Sequence, residues 1–303
     1  MNIKTSVKKI GFLLKETTSE AIEDNVMKLG AAVSYYTIFS LPPLLIILIS
    51  LSGVLFGEDA VRGTLFGQIN GLVGNEAASQ IQEAIKNVKL SGNSTFATVL
   101  SISVLIIGAS GVFAEIQNSI NFIWGIKAKP RKGIVKFLKN RLMSFSMIAT
   151  IGFLLMVGLV INTIMDVLNS KLVELFHKDL VNMAFVLNYL LLFAIITTLF
   201  TVIFRVLPDG KVALRDCIIG ASVTAFLFML GKFAIGFYLG NAPIISVYGA
   251  AGSMILILVW VYYSAIILFF GAEFTKVYAI TYGKNIMPNE YTVKIVKEVN
   301  TEL

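Results

Sequence analysis

One apolar run near the C-terminal end limits what this chain can fold into. Residues 246–278 read SVYGAAGSMILILVWVYYSAIILFFGAEFTKVY. From Met254 to Ala272 only Ser, Gly and Tyr break 19 apolar residues. At about 1.5 Å of helical rise each, such a run crosses a hydrocarbon layer of roughly 30 Å. It opens on Gly249, Ala250, Ala251, Gly252 and Ser253 and closes on Glu273, with Lys276 one turn further on. Small residues let backbones approach one another in lipid, and ionisable groups there face protein or water. The expected helix is packed by neighbours and keeps one side polar. Glu273 shares that side with Tyr262 and Ile266, eleven and seven residues earlier.

Composition extends the constraint to the whole chain. With 56% hydrophobic and 14% charged residues over 303 positions, this is no ordinary soluble domain. Apolar runs recur from 31 to 278 with no gap of domain size. The expectation is all-α: a polytopic membrane protein of six transmembrane helices plus short amphipathic interfacial helices. It forms a single membrane domain over 1–303, with a cytoplasmic amphipathic segment at 1–30, the six-span bundle at 31–278 and a cytoplasmic tail at 279–303. The single Cys217 excludes an internal disulfide. The basic start runs into GFLLKETTSEAIEDN, too short and polar for a secretory leader.

The spans are expected at about 31–55, 95–123, 142–166, 183–204, 217–239 and 246–278. Before them, Ile3, Val7, Ile10 and Leu14 make one apolar face of a basic amphipathic helix, a pattern that lies in the membrane interface. Thr17 and Glu20 have capping-box spacing and predict a second helix start. Pro42 and Pro43 predict a kink in the first span. Residues 57–94 are too polar to span and carry helical apolar spacing, so they read as amphipathic helices on the surface.

Six spans put both termini on one side, and the charges choose which. That side holds 19 Lys and Arg, seven of them at 127–141, against five on the other, with Lys232 inside a span. Cationic loops stay in the cytoplasm, so both termini are expected there.

The polar groups within spans are the candidate site. Glu115, Asn118 and Gly111 share a face of the second span, and Asn162 and Asp166 share one of the third. Lys232 aligns with Ala221, Ala225 and Gly236. Glu115, Glu273, Arg205, Arg215, Asp216 and Lys276 lie toward the cytoplasmic end. They form either a cap of ion pairs at helix ends or the lining of an inward-facing cavity. For Lys232, a structural pair with Asp166 or Asn162 and a contact to substrate remain alternatives. The stretch 243–252, after Pro243, serves packing or lines a cavity if unwound. His177 and Cys217 are isolated, and no phosphate loop, nucleophile elbow or metal-binding motif occurs. No catalytic residue, metal or cofactor is expected. Any transport would run on gradients or passively.

Four stretches carry a resemblance to a known family: AAVSYYTIFSLPPLL (31–45), GVFAEIQNSINFIWG (111–125), RVLPDGKVALRDCIIGASVTAFLFMLGK (205–232) and 246–279. Together they resemble the YihY/BrkB family of bacterial inner-membrane proteins over nearly the whole chain. Lys232, Glu273 and the run from Tyr248 to Ser253 fall on family motif positions. Leu214 departs from it, standing where an aromatic residue precedes the Arg215–Asp216 pair. The family carries labels of three kinds: a virulence or serum-resistance factor, a ribonuclease BN, and a transporter, with lipid export proposed for relatives.

The resemblance and the residues together imply an inner-membrane transporter or lipid-translocating protein without an ATPase domain. The alternative is a non-transporting membrane organiser or envelope-resistance factor. A ribonuclease is disfavoured, because cytoplasmic segments are short and hold no histidine. The expected partners are membrane lipids, anionic ones included, and not nucleic acid; a homo-oligomer is left open. The expected site residues are Lys232, Glu115, Asn118, Asn162, Glu273 and Tyr248, with Arg205, Arg215, Asp216 and Asp166 as structural ion pairs.

Overall fold

The computed structural model describes residues 3–38, 111–128, 178–241, 250–289 and 292–295. Helices dominate them. In chain order they are α1 (Ile3–Glu23), α2 (26–38), α3 (111–123), α4 (Lys178–Val206), α5 (Leu214–Asn241) and α6 (Ala250–Thr281). Three of these helices carry stretches long and apolar enough to cross a membrane: Tyr189–Val206, Leu214–Lys232 and Ile257–Thr281. They answer to the expected fourth, fifth and sixth spans. The third span, the kink at Pro42 and Pro43, and the segment 57–94 lie outside the described residues, as do parts of the first two spans.

Among the described residues there are also four short strands: β1 (Ile126–Ala128), β2 (Gly210–Lys211), β3 (Met287–Pro288) and β4 (Thr292–Lys294). β1 pairs antiparallel with β4, setting Ile126 opposite Lys294, and β2 pairs antiparallel with β3, setting Gly210 opposite Pro288. The tail beyond 279 therefore includes paired strands, where its sequence predicted only a weakly amphipathic polar segment. Two or three residues per strand carry too little alternation to announce a sheet.

The N-terminal region also differs from its expected pattern. α1 runs unbroken through Thr17 and Glu20, and the chain breaks at Asp24–Asn25 instead. Asn25 takes a left-handed conformation, φ 53°, which asparagine tolerates better than most residues. The face turned inward is Leu13, Thr17, Ala21 and Asp24, while Ile10 and Leu14 are exposed. Thr17 is thus a buried helix-interior residue, and the capping-box spacing has no cap to make.

The chain divides into two compact units. The first comprises Met1–Asp24, Gln117–Met229 and Leu268–Leu303. Its core joins Ile120, Ile123 and Trp124 of the α3 region, Phe200 and Phe204 of α4, Ala221 and Ala225 of α5, and Phe269 and Ala272 of α6, all buried. Phe200 stacks on Phe204 and meets Phe228 edge-on. The second unit comprises Asn25–Ile116 and Leu230–Ile267. Within it Gly30 of α2 approaches α6 closely. A β-carbon there would stand 3.1 Å from Ile266 Cγ1 and 3.5 Å from the Tyr262 carbonyl oxygen. Gly231 lies against the ring of Tyr263 in the same unit.

Candidate functional site

The site begins with how α5 and α6 hold each other in the first unit. Gly220 and Thr224 are four residues apart on α5, and Gly271 and Thr275 are four apart on α6. Each glycine accepts the other helix's threonine. Gly220 lies against Thr275, and Gly271 against Thr224. Both threonines are fully buried and turn their hydroxyls back to their own helix. Thr224 donates to the Gly220 carbonyl and Thr275 to the Gly271 carbonyl, each at 2.7 Å. The polar atoms are thus satisfied inside each helix, and the backbones close on apolar surface. Trp124 adds a third point of attachment, donating Nε1–H to the Ala272 carbonyl at 3.0 Å.

This crossing fixes Glu273, the next residue of α6, in a fully buried position. α1 covers it. Leu13 packs with Phe274 and Val277, and further along α1 the acids Glu20 and Asp24 come over the same stretch of α6. Lys276 Nζ lies 2.7 Å from Glu20 Oε2, 2.8 Å from Glu273 Oε2 and 3.5 Å from Asp24 Oδ2. The Glu20 contact is a directed hydrogen bond. The Glu273 contact is close but poorly directed, and neither oxygen of Glu273 accepts a hydrogen bond of good geometry. Carboxylate oxygens of Glu20, Asp24 and Glu273 lie within 4.8 Å of one another. Oxygen donors at that spacing suit a proton or a hard cation.

A second polar centre forms where α3 ends. Asn121 Nδ2 donates to Asp209 Oδ2 at 3.0 Å, and the Asp209 amide returns a bond to Asn121 Oδ1 at 2.8 Å. The Asp209 carbonyl then accepts from Thr292 Oγ1 and from the Asn289 amide, both at 3.1 Å. This is a structural knot: it ties α3, the turn before β2 and the tail together.

The expected site residues are distributed unevenly. Glu273 has the nearby cation its position called for, and that cation is Lys276. Glu115 is half-buried, whereas Asn118 is exposed; the amide of that helix that is buried and paired is Asn121. Lys232 is exposed, although Ala221 and Ala225, in its sequence register, are fully buried. Arg205 donates to the Val212 carbonyl, and buried Asp216 accepts the Lys284 amide at 3.1 Å. Those two groups therefore hold turns through backbone partners. Arg215 is exposed. Asn162, Asp166 and Tyr248 lie outside the described residues. Glu20 and Asp24 were not anticipated as site residues. Their four-residue spacing, in register with Leu13 and Thr17, was the available signal.

The virulence factor BrkB family profile matches residues 17–291. The chain belongs to this family. Its curated relatives carry the name UPF0761 membrane protein. The one from Saccharophagus degradans is 28% identical over 279 residues, 92% of this chain and 62% of the relative. That from Alcanivorax borkumensis is 29% identical over 261 residues, 84% of this chain and 57% of the relative. The chain thus spans about three-fifths of the length of these two BrkB-family proteins. It covers 92% of the relative from Pseudoalteromonas atlantica, at 24% identity over 291 residues. No solved structure matches the chain. Family membership and the three long apolar helices make this a membrane protein.

Proposed function

We propose that the chain is an inner-membrane transporter or lipid-translocating protein, with six spans and both termini in the cytoplasm. The observation that carries this reading is the placement of Glu273 and Lys276. They are buried ionisable groups on a helix composed to span a membrane. Such groups are costly in lipid, pair with one another, and mark ion or substrate pathways. The charge asymmetry of 19 to five between the expected loop sides supports the orientation. Anionic lipids fit as partners. On α1, exposed Ile10 and Leu14 lie beside Lys8 and Lys15, the arrangement of an interfacial helix on a charged membrane.

A nuclease role is not proposed. Carboxylates can hold catalytic metals, but Asp24 and Glu273 lie beneath α1, where a phosphodiester does not reach. The test is flux. Protein reconstituted into vesicles should move a labelled anionic phospholipid between leaflets faster than empty vesicles do. Lys232→Met should remain folded and lose that activity if Lys232 meets the anionic headgroup. A reconstituted, folded protein that moves neither lipid nor small anions would favour the membrane-organiser reading.

A further inference from the structure

The charges of α1 and the residue after it are sorted by sign along the chain. Residues 3–15 hold Lys4, Lys8, Lys9 and Lys15 and no acid, while residues 16–24 hold Glu16, Glu20, Glu23 and Asp24 and no base. That order opposes the helix dipole, which favours acids in the first turn and bases in the last; α1 has neither. The sorting therefore answers to what surrounds the helix. For the acidic half a counterpart is in place: Lys276 of α6 lies 2.7 Å from Glu20 and 3.5 Å from Asp24. In the basic half Lys8 and Lys15 are exposed, and neither forms a salt bridge among the described residues.

The packing of α1 on α6 places this basic half at a membrane boundary. The stretch of α6 composed to cross the membrane ends at Thr281. Leu13 packs with Phe274 and Val277, near the end of that stretch. Lys9 lies over the ring of Tyr282, just beyond it, with Nζ 5.5 Å from the ring centroid. α1 thus passes the end of the span between residues 9 and 13, a depth fixed by contacts and not by its own apolar pattern. At that level Ile10 and Leu14 of α1 and Ile280 and Tyr282 of α6 expose apolar surface. Lys8 and Lys15 share one face of α1, and Ile10 and Leu14 share another about a third of a turn round the helix. In that arrangement apolar side chains enter the acyl boundary while lysines reach the headgroups.

We propose that residues 8–15 of α1 form a docking face for an anionic phospholipid headgroup layer. Charge then holds α1 at both ends: lipid phosphate at Lys8 and Lys15, and Lys276 at Glu20 and Asp24. Negative lipid charge is what the lysines select. Exposed Ile10 and Leu14 favour a lipid layer over a soluble polyanion, which offers no apolar phase to receive them. The face rests on the reading of anionic lipids as partners and names where they act; it needs neither flux nor a transported substrate. Anionic lipid should also stabilise the seating of α1 on α6, because a ligand that prefers the seated helix shifts the balance toward it.

Hydrogen exchange of the full chain in lipid nanodiscs reads that seating. Discs of phosphatidylcholine alone are compared with discs of equal parts phosphatidylcholine and phosphatidylglycerol. Amides of residues 8–15 should exchange more slowly in the anionic discs, by roughly fivefold for each lysine that meets the surface. The double variant Lys8→Gln, Lys15→Gln keeps both apolar residues, so it should fold and lose the difference. Should it fail to fold, Lys15→Gln alone should lose part of the difference. Wild-type exchange that is equal in the two kinds of disc overturns the proposal. So does a difference that persists unchanged in either folded variant. Slowing by soluble polyglutamate in neutral discs, with none from phosphatidylglycerol, assigns the face to an acidic protein and likewise overturns it. Lipid flux is measured separately in vesicles, so failure of this face and failure of the transport reading are told apart.

Discussion

Replacing Gly271 by alanine tests the crossing that holds the site. A β-carbon at 271 would stand 1.9 Å from Thr224 Oγ1 and 2.8 Å from both Thr224 Cβ and Cγ2. The hydroxyl could rotate away, but only by giving up its bond to the Gly220 carbonyl. The Cβ contact has no such escape, because Cβ is fixed to the backbone. The helices must separate, at a cost near the upper end of the roughly 1–3 kcal/mol typical of overpacking. Alanine returns about 1 kcal/mol through its better helix propensity. The net loss is about 2 kcal/mol, a drop of several degrees in melting temperature for a chain of this size. Thermal unfolding in detergent, followed by tryptophan fluorescence, measures it; Trp124 sits one hydrogen bond from the crossing. The double variant Gly271→Ala, Thr224→Gly should recover much of the loss relative to Thr224→Gly alone, by moving the notch to the other helix. If Gly271→Ala is as stable as wild type or more so, propensity outweighs the contact and the close crossing is refuted.

Other outcomes follow from named contacts. Lys276→Met leaves Glu20, Asp24 and Glu273 without their cation and should cost about 3–5 kcal/mol, seen as loss of folded yield on gel filtration. Restoring balance with Lys276→Met, Glu273→Gln should return part of that yield. Asn121→Ala removes both side-chain bonds to Asp209 and should cost about 1–3 kcal/mol by thermal melt. For topology, a cysteine placed at Ser79 in a Cys217→Ala background should react with a membrane-impermeant thiol reagent in intact cells. Protection there would reverse the proposed orientation.

Much of the helical layout was legible because apolar runs of about 20 residues have few other uses. α4 and α5 lie where composition put them, extended by a few residues at each end, and α6 runs three residues past its expected end. Half of the site was legible for a related reason: Glu273 and Lys276 break an apolar run, and such breaks stand out. Glu20 and Asp24 did not, because in a polar N-terminal segment acids are ordinary. Only the packing of Leu13 on Phe274 and Val277 gives them a buried partner. The buried face of α1 escaped notice for the same reason. Its most regular apolar stripe, with Ile10 and Leu14, is the exposed one, and a stripe containing Thr17 and Asp24 is buried. Periodicity shows that a helix has faces, but the neighbours decide which face is covered.

The strand pairs and the Lys276 cluster also set an order of events during synthesis. Lys276 meets Glu20 across 256 positions of chain, and Ile126 waits for Lys294. A ribosome delivers the first partner of each pair long before the second. Until residues 273–294 emerge, Glu20 and Asp24 stay without Lys276, and the segments that become β1 and β2 lack the strands they pair with. Completion of the tail is therefore the step that closes this part of the fold, and a nascent chain stopped before residue 276 presents as unfinished however well its earlier helices have inserted.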